Sequence, residues 1–229
     1  MEFYAGMGNE WWVAMGSILL INLILSGDNA VIIALASKNL PAEQRKKAVF
    51  WGSAGAVVLR VILTFIAAYL LDIPYLQFLG GMALLYIAVS LLAKEQEEGP
   101  VSEAASFQEA FKIILFADLI MSLDNVLALA AIAQTVPTGK YLLIIVGLAT
   151  SVPFVIFGAQ TLMKLMDRFP VIIYIGAGVL GYAAAEMIIG DKAVGPYVAN
   201  YQLLLEIGLA LGVILIGYWK KLRAGTSLM

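Results

Sequence analysis

The chain has 229 residues, 62% of them hydrophobic and 13% charged, with a formal net charge of −2 at pH 7. Its mean hydropathy is +0.93. Soluble domains run nearer half apolar and a quarter charged, so this composition excludes an ordinary globular enzyme, a disordered tail and a nucleic-acid partner.

A helix crosses the hydrocarbon of a bilayer with about 20 apolar residues. Seven stretches qualify: 11–37, 48–71, 75–93, 111–134, 141–163, 171–190 and 201–219. Pro41, Pro74, Gly99-Pro100, Pro137, Pro170 and Pro196 punctuate the breaks. The runs are too long and continuous for barrel staves, so helices are expected. Glu2 and Glu10 stand where a signal peptide carries a basic region, so the first run reads as a span that is kept. Lys38, Arg45, Lys46, Lys47, Lys94, Lys112, Lys164, Arg168, Lys220, Lys221 and Arg223 fall on one side of these spans. Only Lys140 and Lys192 fall on the other. The positive-inside rule then predicts a multi-pass protein of the cell membrane with its N-terminus outside and its C-terminus in the cytoplasm.

An offset of 96 residues aligns three spans with three spans. It places Leu23-Ile24 on Leu119-Ile120, and Ser26, Asp28 and Asn29 on Ser122, Asp124 and Asn125. Ala34 falls on Ala130, Pro74 on Pro170, Gly80 on Gly176 and Tyr86 on Tyr182. A repeat of three spans is odd-numbered, so the second copy enters the membrane from the opposite side. The expected fold is therefore an all-α polytopic membrane protein of seven transmembrane helices in a single domain, 1–229. Two inverted three-helix repeats, about 11–93 and 108–190, are followed by an extra C-terminal helix at 201–219. In such folds the site lies at the repeat interface near the midplane.

Ionisable groups inside spans are costly and point to function. They are Asp28, Arg60, Asp118, Asp124 and Glu186, with Glu206 read as a shallower acid reaching the interface near the outer end of the last helix. Asn22, Ser26 and Asn29 form one polar stripe of a helix, and Asp118, Ser122 and Asn125 form its twin. Unwinding at the S-x-D-N would let aspartate, asparagine and freed carbonyls converge, more easily at Gly27 than at Leu123. Arg60, deep in its span, is expected to neutralise Glu186 or Asp118. With neither cysteine nor histidine in the chain, thiol, haem, Cys/His zinc and His-dependent triad chemistry are excluded. Carboxylates, amides and carbonyls make a hard oxygen cage suited to Mg²⁺, Ca²⁺ or Mn²⁺. Asp28, Asp118, Asp124 and Glu186 against Arg60 leave −3 if all are ionised, which a bound divalent ion nearly neutralises. Buried acids without metal take up protons, so a cation/proton exchanger follows naturally. Met121, one turn before Asp124, is either an apolar packing residue or a soft ligand favouring Mn²⁺.

The stretches LILSGDNAVIIALA, WGSAGAVVLR, ADLIMSLDNVLALAAIA and GVLGYAAAEMIIGD resemble the TerC family of integral membrane proteins. The resemblance covers about 19–191, and its more specific elements are the paired S-x-D-N and the G-x-x-G-A-x-x-x-R at 52–60. It implies membership of the LysE-like transporter group, several members of which are associated with manganese export; tellurite resistance gave the family its name. On this resemblance Asp28, Asn29, Asp124 and Asn125 are the ion site, with Asp118 and Glu186 contributing. It also favours Mn²⁺ as the bound or transported ion where spacing alone gives only a hard divalent cation. Asn22, Ser26, Arg60, Met121 and Ser122 are supporting residues. The partners expected are the lipid bilayer and a divalent metal ion, with a homodimer left open. The main expectation is a manganese exporter and not an enzyme. The alternatives are a membrane accessory protein that loads metal onto secreted proteins, and an intramembrane aspartyl protease, for which two membrane aspartates sharing a proton are also required.

Overall fold

The computed structural model describes residues 8–24, 27–70, 73–94 and 106–226. Among these residues the chain is helical, with no strand. In chain order the helices are α1 (Asn9–Ile24), α2 (Gly27–Ser37), α3 (Ala42–Leu70), α4 (Leu76–Lys94) and α5 (Phe107–Gln134). They continue with α6 (Lys140–Arg168), α7 (Val171–Gly190), a single turn α8 (Gly195–Val198), a 3₁₀ turn (Ala199–Tyr201) and α9 (Gln202–Thr226).

Local chemistry sets several of these ends. Ser106 caps α5 by accepting the Glu109 N–H at 3.2 Å, which starts the helix four residues before the apolar run that announces it. Gly139, at φ 71°, makes the left-handed turn from which α6 begins. Tyr75 carries a positive φ of 65° at the start of α4, a position glycine usually fills.

Five helical segments are long and apolar enough to cross a membrane: Ala42–Ile66, Leu76–Ala93, Lys140–Arg168, Val171–Gly190 and Gly195–Trp219. The pair α1 and α2, bent by 44°, makes a sixth if taken as one span. At about 1.5 Å per residue, α5 has the length to cross as well, but it carries Asp118 and Asp124 in its middle. Large apolar side chains such as Trp12, Trp51, Phe157, Leu204 and Leu215 point outward, as expected where hydrocarbon is the solvent.

Small residues place the helices. A Cβ on Gly52 would meet Ile114 and one on Gly55 would meet Leu115 and Phe111, so this face of α3 is a notch that receives α5. The two helices run parallel, since Arg60 further along α3 reaches Asp118 and Ser122 further along α5. The same relation recurs elsewhere: Ile18 of α1 seats on Gly147 of α6 as Ile114 seats on Gly52. Ile18 and Ile114 are 96 positions apart, and Gly52 and Gly147 are 95. Further along, Gly158 of α6 meets Ala30 of α2. α4 and α7 pack antiparallel, with Gly80 against Met187 and Ile120, and Gly81 against the Ala184 carbonyl. α9 lies along α7, where Gly178 faces Ile214 and Gly181 faces the backbone of Leu209 and Ala210. The main apolar core lies among α2, α4, α5, α6 and α7, and a second one joins α1 to the C-terminal half of α5 and the start of α6.

Candidate functional site

The notch in α3 delivers Arg60 to the middle of the bundle, where it is 3% exposed. Its guanidinium is held on every nitrogen. Nη2 donates to Asp118 Oδ1 at 2.5 Å, Nε to Ser122 Oγ at 2.9 Å and Nη1 to Asn22 Oδ1 at 3.3 Å. Ser122 Oγ donates in turn to Asp118 Oδ2 at 3.3 Å, so both oxygens of that carboxylate are engaged. Thr64, one turn on, returns its hydroxyl to the Arg60 carbonyl at 2.7 Å. Asn22, Asp118 and Ser122 are all buried. Of the two carboxylates that sequence offers to Arg60, Asp118 is the partner. A buried pair of this kind is tolerable only because its remaining atoms are also hydrogen-bonded.

Asp28 stands at the start of α2, within electrostatic reach of Arg60 and Asp118. Its Oδ1 accepts the Asn29 backbone N–H at 2.7 Å and the Asn29 side-chain amide at 3.1 Å. The two S-x-D-N motifs differ in backbone. In the first copy the described helix α1 ends at Ile24 and α2 begins at Gly27, with a bend of 44° between them. In the second, Ser122 to Asn125 lie within the continuous helix α5. Asn125 is half-buried there. Ser26 and the side chain of Asp124 lie outside the described residues. Met121 is buried in the main apolar core.

Glu186 is not brought to this cluster. It is exposed on α7, hydrogen-bonded to Tyr182, in a polar seam that includes Glu206. Glu206 corrects the expectation of an interfacial acid: it is 6% exposed and accepts the Gln202 amide at 2.8 Å. Gln202 and Glu206 are one turn apart on α9, so their spacing carried the signal, but only the packing of α9 on α7 shows the acid to be covered. Asp191 is a further acid that motif reasoning did not single out. It ends α7 and accepts N–H bonds from Phe78 at 3.1 Å, Ala193 at 2.9 Å and Val194 at 3.0 Å, which ties the end of α7 to the start of α4. Among the described residues, no three acids converge closely enough to hold a metal ion; the Asp124 carboxyl falls outside that set.

A bundle of apolar helices around a buried arginine–carboxylate network defines a polytopic integral membrane protein with a polar site at depth. The chain belongs to the integral membrane protein TerC family, whose model matches residues 7–224. It is 40% identical over 195 residues to the uncharacterized membrane protein YjbE of Bacillus subtilis, covering 85% of this chain and 88% of that protein. It is 32% identical to the uncharacterized membrane protein YkoY of the same organism, over 69% of this chain and 54% of that protein. It is 25% identical to the UPF0053 inner membrane protein YgdQ of Escherichia coli, over 69% of this chain and 73% of that protein. No solved structure matches.

Proposed function

We propose that the chain is a transporter of divalent metal cations, with Mn²⁺ as the favoured cargo and export as its direction. The observation that carries this reading is the cluster at the meeting of α1, α2, α3 and α5. Asp28, Asp118, Asn22, Asn29 and Ser122 there offer oxygen and no thiolate or imidazole. Hard divalent cations suit such a donor set, and Zn²⁺ or Cu⁺ do not. Asp124 and Asn125, the repeat counterparts of Asp28 and Asn29, complete the proposed site from α5.

In this reading α1 with α2 forms one broken span and α5 another, giving seven spans in two inverted three-helix units plus α9. The reciprocal seats of Ile18 on Gly147 and Ile114 on Gly52 support that symmetry. The site then lies between the units, where alternating access operates in repeat transporters. Protons that replace the cargo on the buried carboxyls are the proposed exchange partner.

The test is flux into proteoliposomes that hold a Mn²⁺-sensitive dye. The expected result is Mn²⁺ uptake down its gradient, accelerated by an opposing pH gradient, with no Zn²⁺ flux. Equal Mn²⁺ and Zn²⁺ flux, or none above empty vesicles, overturns the reading.

A further inference from the structure

We propose that Arg60 is the valence filter of this site: its guanidinium competes with the cargo for Asp118, and only a cation of charge two displaces it. The proposal rests on the divalent-cation reading above and goes beyond it by assigning the discrimination against Na⁺ and K⁺ to one residue.

The argument begins with exclusion. Both Asp118 oxygens are engaged, Oδ1 by Arg60 and Oδ2 by Ser122. A metal ion on Asp118 and a guanidinium bonded to the same carboxylate would be like charges about 4 Å apart at a site that is 3% exposed, where screening by water is weak. One must yield. A monovalent cation that takes the guanidinium's place on Asp118 sets no more charge against that carboxylate than Arg60 did. It must shed its water, and Arg60 loses its shortest hydrogen bond; nothing offsets those costs. A divalent cation sets twice the charge against Asp118, with Asp28 near enough to share the attraction. The displaced guanidinium gives up Ser122 with Asp118 and keeps Asn22 Oδ1 as its acceptor on α1. Charge, rather than ion radius alone, then decides which cations enter.

Competition of this kind raises the apparent dissociation constant by the inverse of the fraction of molecules in which Asp118 is free of Arg60. Removing the guanidinium therefore tightens Mn²⁺ binding and admits monovalent ions. The experiment measures thermal melting of the purified full chain in detergent, in MnCl₂ titrations and in NaCl against N-methylglucamine chloride at equal ionic strength. For the wild type the expected result is Mn²⁺-dependent stabilisation and no difference between Na⁺ and N-methylglucamine. For Arg60→Gln the cation-free melting temperature falls. Its half-saturating Mn²⁺ concentration drops about ten-fold or more, and Na⁺ becomes stabilising. Arg60→Lys retains the charge but loses the three-way hold, so it remains indifferent to Na⁺ and shifts Mn²⁺ half-saturation by less. If Arg60→Gln does not fold, a lowered Mn²⁺ half-saturation in Arg60→Lys supports the filter and an unchanged one overturns it. A folded Arg60→Gln with wild-type Mn²⁺ half-saturation and no Na⁺ response also overturns it, with the transport reading left standing. A wild type that Mn²⁺ does not stabilise overturns both.

Discussion

Asn22 and Asp118, 96 positions apart in the chain, are bonded to the same guanidinium: Arg60 Nη1 donates to Asn22 Oδ1 and Nη2 to Asp118 Oδ1. They occupy equivalent places in the two halves of the sequence, an amide in one and a carboxylate in the other. The place equivalent to Arg60 is held by Ile156, a partly buried residue packed against the main core. Two positions 96 residues apart thus meet on one base. The direct ion pair of that base is with Asp118, in the second half.

The paired aspartates provide the first prediction. Asp28→Asn and Asp124→Asn each remove a charge while leaving atoms able to hydrogen-bond. Both should fold, with a melting temperature within a few degrees of wild type, because an amide is less costly than a carboxylate at depth. Both should lose Mn²⁺-induced stabilisation and at least about 90% of flux, a change that corresponds to about 1.4 kcal/mol or more of lost cation binding. Full flux in both variants would remove these residues from the site.

Orientation is checked with single cysteines, since the chain has none of its own. Ala199→Cys precedes α9 on the side predicted to lie outside, and Gln108→Cys lies at the start of α5 on the side predicted to be cytoplasmic. A membrane-impermeant thiol reagent applied to intact cells should label the first and spare the second. The opposite pattern inverts the topology.

Asp191 gives a pH dependence. Burial pushes the pKa of its carboxyl up, but the backbone N–H groups of Phe78, Val194, Ala193 and Tyr75 outweigh it and hold the carboxyl below its ordinary range. A group whose folded pKa is depressed contributes stability above its unfolded pKa, and that contribution is lost as pH falls through the folded value. Asp191→Asn should therefore cost about 1–2 kcal/mol at pH 7. The gap between variant and wild type should close as pH falls below about 4. Melting curves between pH 3 and 7 measure it, and a constant gap refutes the assignment.

Two glycines of the α7–α9 pair should respond differently to a methyl group. A Cβ on Gly181 would lie 2.8 Å from the Leu209 carbonyl oxygen and 3.0 Å from the Ala210 Cα, both backbone atoms that cannot step aside alone. Gly181→Ala should cost about 1–3 kcal/mol. Gly208 has open space around it, so Gly208→Ala should change stability by no more than about 0.5 kcal/mol. Equal melting temperatures for the two variants would contradict this packing.

The membrane class, the positions of most helices and the polar positions at the centre were legible because each rests on a local signal. Apolar run length marks the helices, and a charge inside a run marks the site. Arg60 and Asp118 stood out individually in this way, but their pairing depends on how deeply α5 sinks into the notch of Gly52 and Gly55, a tertiary distance that no spacing encodes. Glu186 and Glu206 show the limit more sharply. Both occupy apolar helices, yet the face of α7 that meets α9 turns the first away from Arg60, and the same contact buries the second. Helix ends beyond the apolar runs depend on caps, such as Ser106 for α5.

The close approach at Gly181 decides which solvent Glu206 meets. With the Leu209 carbonyl where a side chain of residue 181 would stand, the backbones of α7 and α9 are in direct contact at the middle of their seam. The carboxyl just beyond it, with Gln202 as hydrogen-bond donor, is covered by packed helices and kept from hydrocarbon. One missing methyl group in α7 lets α9 close over an acid of its own.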